Sequence, residues 1–249
     1  MTMFEREPIV GTMSAQVARI LGMRIVGGDY RPGDFLPVEA DLCAAFGVSR
    51  TTVREAVKTL TSKRLVSASP KIGTQVLPFA DWNLLDRDVL GWRLLAQFDT
   101  QIVEDIFEMR LCFEPRAAAL AALNGVADDF AALERRYAEL ADALQPGQDS
   151  RLAAQADLEF HLTLINLSRN GMFITIGGAI KAALRVSSEM LHRHPDHPER
   201  DLRLYDDVRR GVVARDAEAA AAAMVALLQA SRERLLWMMR SGARGELGR

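Results

Sequence analysis

One short stretch of the chain constrains the fold more than any other. Leu42, Cys43 and Phe46 give a brief apolar helical pattern that stops at Gly47. Two residues later Ser49 stands where an N-cap would open a second helix. Val53, Ala56, Val57 and Leu60 then recur at i, i+3, i+4 and i+7, the spacing of one buried helix face. Arg50, Thr51, Arg54 and Lys58 fall off that stripe, nearest its N-terminal half. A short helix, a tight glycine turn and a second helix that opens with hydroxyl and basic residues describe a helix-turn-helix. Periodicity alone fits equally well a small helical domain with a solvated basic helix.

The flanks extend the pattern. Val17, Ile20, Leu21 and Ile25 share one helical face with Arg24, and Gly27-Gly28-Asp29 ends that helix. Arg31-Pro32-Gly33-Asp34 reads as a turn leading into Leu36-Pro37. Downstream, Leu65 to Ala68 and Gly73 to Val76 read as two strands joined by Ser69-Pro70-Lys71-Ile72, a wing with one cation at its tip. The residue types suit a nucleic acid. Arginine can bridge two acceptors on a guanine edge. Hydroxyls and helix N-terminal amides suit phosphate oxygens.

Charge is distributed to match. Residues 1–76 hold ten Lys/Arg and seven Asp/Glu, six of the cations lying between Arg50 and Lys71, while the whole chain carries a net charge of -2. A basic first part on an acidic remainder points to a polyanion partner for the first part only. After Val76 and Leu77, strand formers give way to long Ala/Leu/Arg/Glu helical patterns. Pro78 to Asp81 therefore opens a linker at 78–83 between a domain at 1–77 and a second at 84–249.

That second domain reads as all helix: 84–95, 101–123, 128–144, 150–168, 172–191, 200–214 and 216–240, separated by Asn124-Gly125, Pro146-Gly147, Asn170-Gly171 and Pro195 with Pro198. The expected fold class is mainly α, a winged helix-turn-helix followed by an all-helical bundle. At 49% apolar residues the chain is not disordered. Its two cysteines, Cys43 and Cys112, cannot make a disulfide framework. The longest apolar run, Ala219 to Leu228, is too short to cross a bilayer, and no secretory signal is evident. A soluble cytoplasmic protein without a membrane partner is expected.

Four features of the helical part could carry chemistry. Asp157 and His161 are i, i+4 on one helix and can chelate one metal, hydrogen-bond one ligand or form an ordinary surface pair. Arg110, within an apolar helix, either snorkels, serves a buried anion or pairs with a neighbouring helix. His192, His194 and His197 resemble a metal cluster, but Pro195 and Pro198 favour a solvated turn. Arg232 and Arg234 suit a helix C-terminus, where cations complement the dipole.

The run Gly33-Asp34-Phe35-Leu36-Pro37, Leu42, Phe46-Gly47-Val48-Ser49-Arg50-Thr51-Thr52-Val53-Arg54-Glu55-Ala56, Leu60 and Gly73-Thr74 resembles the GntR family of bacterial transcription regulators. The resemblance implies that Ser49, Arg50, Thr51, Thr52 and Arg54 face DNA, with Lys58 on the same helix and Lys71 and Gly73 in the wing. Ala40 follows Glu39 where many members of the FadR subgroup have arginine. Glu108-x-Arg110-x-x-x-Glu114-Pro115, Asp157-x-x-x-His161 and Asn170 are similar to the FCD effector domain of that subgroup. In many such domains the Asp and His bind a divalent metal with two further histidines. Those two positions fall on Tyr205 and Leu227, so no cofactor is required and a metal held by Asp157 and His161 is the lesser expectation.

The segment Trp82 to Trp92 is similar to the domain junction of galactonate-type members and tilts the ligand toward a small carboxylate. Arg110 would then meet the carboxylate, and Asp157, His161 and Tyr205 the hydroxyls. The resulting expectation is a homodimeric, ligand-responsive repressor on double-stranded operator DNA with an inverted repeat, and not an enzyme. The alternatives are a metal-dependent enzyme using Asp157 and His161, or a ligand-free architectural DNA-binding protein.

Overall fold

The computed structural model describes residues 12–70, 72–96, 100–192 and 198–246. Within the described residues the chain forms two compact units, Met1–Gln97 and Phe98–Arg249.

The first unit begins with α1 (Met13–Val26), whose Thr12 cap accepts from the Ala15 amide. α2 (Glu39–Phe46) ends at Gly47, which takes a left-handed conformation with φ +64. A side chain there would be strained, so glycine permits the sharp turn into the next helix. Ser49 Oγ accepts from the Thr52 amide and opens α3 (Arg50–Ser62). Val53, Ala56 and Leu60 of α3 are buried with Leu21, Ile25, Leu42 and Leu65, one core built from all three helices and the sheet. β1 (Val66–Ser69) and β2 (Gly73–Val76) pair antiparallel, with Val66 opposite Val76 and Ser69 opposite Gly73. Phe35 adds an isolated bridge to Gln75, where the sequence pattern indicates only a turn. Lys71, the expected cation of the wing tip, lies outside the described residues.

A 3-10 turn (Phe79–Asp81) leads to α4 (Arg87–Ala96). The sequence pattern places a linker at 78–83 and this helix in the second domain, whereas the units divide after Gln97. The reason is packing. Val89 and Trp92 join the core of the first unit, and a Cβ on Gly22 would sit 2.2 Å from the Trp92 ring. Only glycine lets α1 and the indole approach so closely. Lys63 Nζ, mostly buried, binds Asp86 at 2.8 Å and Asp88 at 2.7 Å, while Asp86 also accepts from the amides of Asp88 and Val89 to start α4.

The second unit contains α5 (Thr100–Asn124), α6 (Ala127–Ala143), α7 (Ser150–Leu167), α8 (Gly171–Leu191), α9 (Pro198–Val213) and α10 (Ala217–Glu246). α5 packs along α10, α10 along α9, and α7 lies among α5, α6 and α8. Ala117, Ala118, Ala121 and Ala122 of α5 are fully buried, Ala117 among Leu158 and Ile165 of α7 and Ile180 and Leu184 of α8. Asp149, Asn170 and Asp216 cap α7, α8 and α10. Asp129, rather than the neighbouring Asp128, reaches back to the Val126 amide to begin α6. Because α10 continues to Glu246, Arg232 lies in mid-helix and not at its end. It pairs with Glu108 of α5 at 3.2 Å and with Glu104 at 3.7 Å. Among the described residues no helix is long and apolar enough to cross a membrane.

Candidate nucleic-acid interface and buried polar site

The α2–turn–α3 geometry decides which side chains face outward. With Val53, Ala56 and Leu60 turned into the core, Arg50, Thr51, Arg54 and Lys58 remain exposed, and Thr52 is half-buried. Ser49 and Thr52 bond to each other through their side-chain oxygens at 2.9 Å, at the positively polarised start of α3. Exposed Gly73 stands at φ +118 in the wing, a conformation that a β-carbon would strain. Hydroxyls, helix-start amides and arginines thus share one face, as phosphate and base-edge contacts require. Glu39 adds a carboxylate to this face: its Oε2 accepts from Arg54 Nε at 2.7 Å.

The helical unit holds charges where apolar side chains would be expected. Arg110 and Glu114 of α5, Asp157 and His161 of α7, and His192 after α8 are all buried, with exposures of 1–3%. Arg110, Glu114, His161 and Asp157 form a line of alternating sign. Arg110 Nε donates to Glu114 Oε1 at 2.6 Å, its NH2 group approaches Glu114 Oε2 at 3.4 Å, and NH1 donates to Ser187 Oγ of α8 at 3.1 Å. Glu114 Oε2 lies 2.6 Å from His161 Nδ1, and His161 Nε2 lies 3.3 Å from Asp157 Oδ1. Tyr205 of α9 donates its hydroxyl to that same Asp157 oxygen at 2.5 Å. His192 Nε2 stands 3.6 Å from Asp157 Oδ2, too far for a hydrogen bond.

The protonation states follow from these neighbours. Burial alone would push the Glu114 carboxyl up, but Arg110 and His161 outweigh it and bring it down to about 2. Asp157, likewise opposed by burial, is held well below the carboxylate range by the two histidines. Burial would lower His161, yet the charge of Glu114 and the contacts with Asp157 and Glu114 raise it. Between two carboxylates the imidazolium is the favoured form.

The line is not fully satisfied. The His161 Nδ1 contact is short but poorly directed, and that atom, Ser188 Oγ and both ring nitrogens of His192 are buried without a hydrogen-bond partner among the described residues. Such groups cost about 1–3 kcal/mol each unless something completes them. A hollow of 250 Å³, lined by residues 143–148 of the α6–α7 connection with Ser150 and Ala153, reaches His192.

The structure therefore brings Arg110, Asp157, His161 and Tyr205 together, although they come from three helices, α5, α7 and α9. Two members are not singled out by sequence as parts of the site. Glu114 belongs only to a motif there, and it takes the Arg110 fork expected for a ligand carboxylate. His192 is expected in a solvated turn, but α8 runs to Leu191 and turns the ring inward; His194 and His197 lie outside the described residues. The two positions beyond Asp157 and His161 where a metal would draw further ligands carry no histidine. Tyr205 holds Asp157 by a neutral hydroxyl, and Leu227, the other position in question, is a buried hydrocarbon. Among the described residues no group of three or more His, Cys, Asp or Glu side chains is placed to hold a metal ion.

A winged helix whose α3 turns arginines and hydroxyls outward, followed by a helical bundle with a charged interior, defines a two-part transcription regulator. The chain belongs to the gntR family of bacterial regulatory proteins, whose model matches residues 13–76, and carries an FCD domain at residues 105–230. The galactonate operon transcriptional repressor of Escherichia coli K12 is 31% identical over 220 residues, covering 86% of this chain and 93% of that one. An uncharacterized HTH-type transcriptional regulator of the same strain, YieP, is 41% identical over 158 residues, 64% of this chain and 68% of its own. Among solved structures, Lar, which controls expression of the Listeria monocytogenes agr system, shares the fold. Its TM-score is 0.64 at 22% identity, covering 92% of this chain and 98% of that one.

Proposed function

We propose that this DNA-binding regulator acts as a cytoplasmic homodimer on an inverted-repeat operator. A small polyhydroxy carboxylate bound in the helical unit releases it from DNA, and the protein is not an enzyme. The observation that carries the ligand reading is the set of buried, unpartnered polar atoms on His161, Ser188 and His192 beside an alternating charge line. A ligand with hydroxyls and one carboxylate would supply the missing acceptors and donors. Because Glu114 already occupies the Arg110 fork, the ligand carboxylate would meet His161 and His192. No metal is needed, since Tyr205 and Leu227 replace potential ligands. The repressor sign draws support from the role named for the galactonate relative alone. Dimerisation follows from affinity: one small module makes too few contacts, and two-fold symmetry doubles them.

A thermal-shift panel of sugar acids and dicarboxylates, run with and without divalent metal, tests the ligand. At 100 times its dissociation constant a true ligand adds about 2.7 kcal/mol of stability. The same compound must weaken binding to a duplex selected by the protein from a random pool. A compound that stabilises the chain only with metal, or a monomer that binds one half-site at full affinity, overturns the reading.

A further inference from the structure

The two arginines at the start of α3 are not free of the rest of the unit. Glu39, the first residue of α2, holds Arg54 Nε at 2.7 Å through Oε2, while Arg50 Nε lies 3.8 Å from its Oε1. The carboxylate is half-buried, and the two arginines are 74% and 70% exposed. It spans the turn, from the helix before it to the helix that faces DNA.

An acidic side chain on this face is an electrostatic liability against a polyanion. Its pairing does little for the fold, since exposed ion pairs contribute little. Nor does α2 depend on it for a favourable charge at its N-terminus, because Asp41 supplies another carboxylate in the same turn. What the contact does accomplish is geometric. A guanidinium has a side edge that includes Nε and an end edge formed by its two terminal nitrogens. Glu39 takes Arg54 by Nε, and the end edge is the one suited to a pair of acceptors such as guanine O6 and N7. A long, mobile side chain is thereby oriented before DNA arrives.

We infer that Glu39 is a positioning residue for sequence readout, fixing Arg54 so that its terminal nitrogens meet a base edge. The inference rests on α3 being the DNA-reading helix. It separates from a simple charge effect by sign. If Glu39 is merely a negative charge, Glu39→Gln tightens binding to every duplex alike. If it positions Arg54, the same change leaves non-specific affinity equal or tighter while specificity falls.

The experiment uses the full chain and two probes: the tightest duplex that the wild type selects from a random pool, and a scrambled duplex of the same composition. Anisotropy titrations at fixed salt give the ratio of the two affinities for wild type, Glu39→Gln, Arg54→Ala and the double variant. The expected result is a fall of about tenfold in the ratio for Glu39→Gln, the scale of one good base contact, with scrambled-duplex affinity undiminished. In the Arg54→Ala background the further change is less than about twofold, as coupling through a single partner requires. Repeating the selection with Glu39→Gln should lose preference at one base pair in each half-site. An unchanged ratio overturns the inference. So does an equal fall with Arg54 absent, because Glu39 would then be reading DNA itself. Thermal melts of all four proteins identify loss of folding, and Glu39→Ala provides a second variant that must reproduce the lost base preference.

Discussion

Glu114→Ala is the sharpest probe of the charged interior. The substitution removes the carboxylate that Arg110 and His161 share at 2.6 Å each, and neither cation is more than 3% exposed. Removing one partner of such a pair leaves an uncompensated buried charge and costs about 3–5 kcal/mol. His161 can escape by losing its proton, since the charge of Glu114 contributes to its raised pKa, but arginine stays charged. The penalty should therefore persist at every accessible pH and correspond to a fall of about 6–20 °C in Tm. The double change Arg110→Met with Glu114→Leu removes both charges and keeps the volume. By the same reasoning it should come within about 1 kcal/mol of wild type or exceed it. Urea unfolding followed by circular dichroism, at one fixed protein concentration because dimerisation would shift the midpoint, reads both. A Glu114→Ala midpoint matching wild type would show that water or conformational change relieves Arg110, and the buried-line description would be wrong.

Three further outcomes rest on named contacts. Tm should be highest between about pH 4.5 and 6.5 and fall on both sides. Glu114, at about 2 folded against 4.5 ordinarily, contributes above 4.5 and loses its contribution as pH drops toward 2. His161, raised above 6.5, contributes below 6.5 and loses its contribution as pH climbs through the folded value, so His161→Gln should flatten the alkaline limb in a pH series of melts. Gly211→Ala places a Cβ 2.7 Å from the Ala220 backbone nitrogen, where α9 meets α10, and should cost about 1–3 kcal/mol in the same urea assay. Dialysis against a chelator should leave both Tm and DNA affinity unchanged, as a set with Tyr205 and Leu227 at two potential ligand positions implies.

The parts legible in the sequence are those specified locally. Gly47, Ser49 and the Val53–Ala56–Leu60 stripe define the turn and the outward face of α3, because capping and helical period act within a few residues. The ends of α5 to α9 fall within two residues of those read from breakers such as Asn124-Gly125 and Asn170-Gly171. What periodicity cannot carry is the identity of the packing partner. Val89 and Trp92 make a helix face in any context, and only Gly22, far earlier in the chain, says which body that face covers. Phe35 pairs with Gln75 by backbone bonds that leave no pattern in either segment. His192 shows the same limit in the polar site. Two prolines downstream suggest a turn, but α8 runs to Leu191 and leaves the His192 ring buried. Glu114 is visible in its motif, yet its role appears only when α5 and α7 lie side by side.

The placement of α4 also bears on how this regulator can be dissected or recombined. A fragment cut at residue 77, where the second strand of the wing has just ended, would bare the core around Leu21 and Gly22 that Trp92 covers. It would also strand Lys63, whose side chain is only 11% exposed, without either of its carboxylates. The portable cassette is therefore the winged helix together with α4, ending no earlier than Ala96. A chimera that transplants residues 12–77 onto a foreign sensor must import from its new host a tryptophan-sized plug for α1 and an acid for Lys63. One joined after α4 carries both with it.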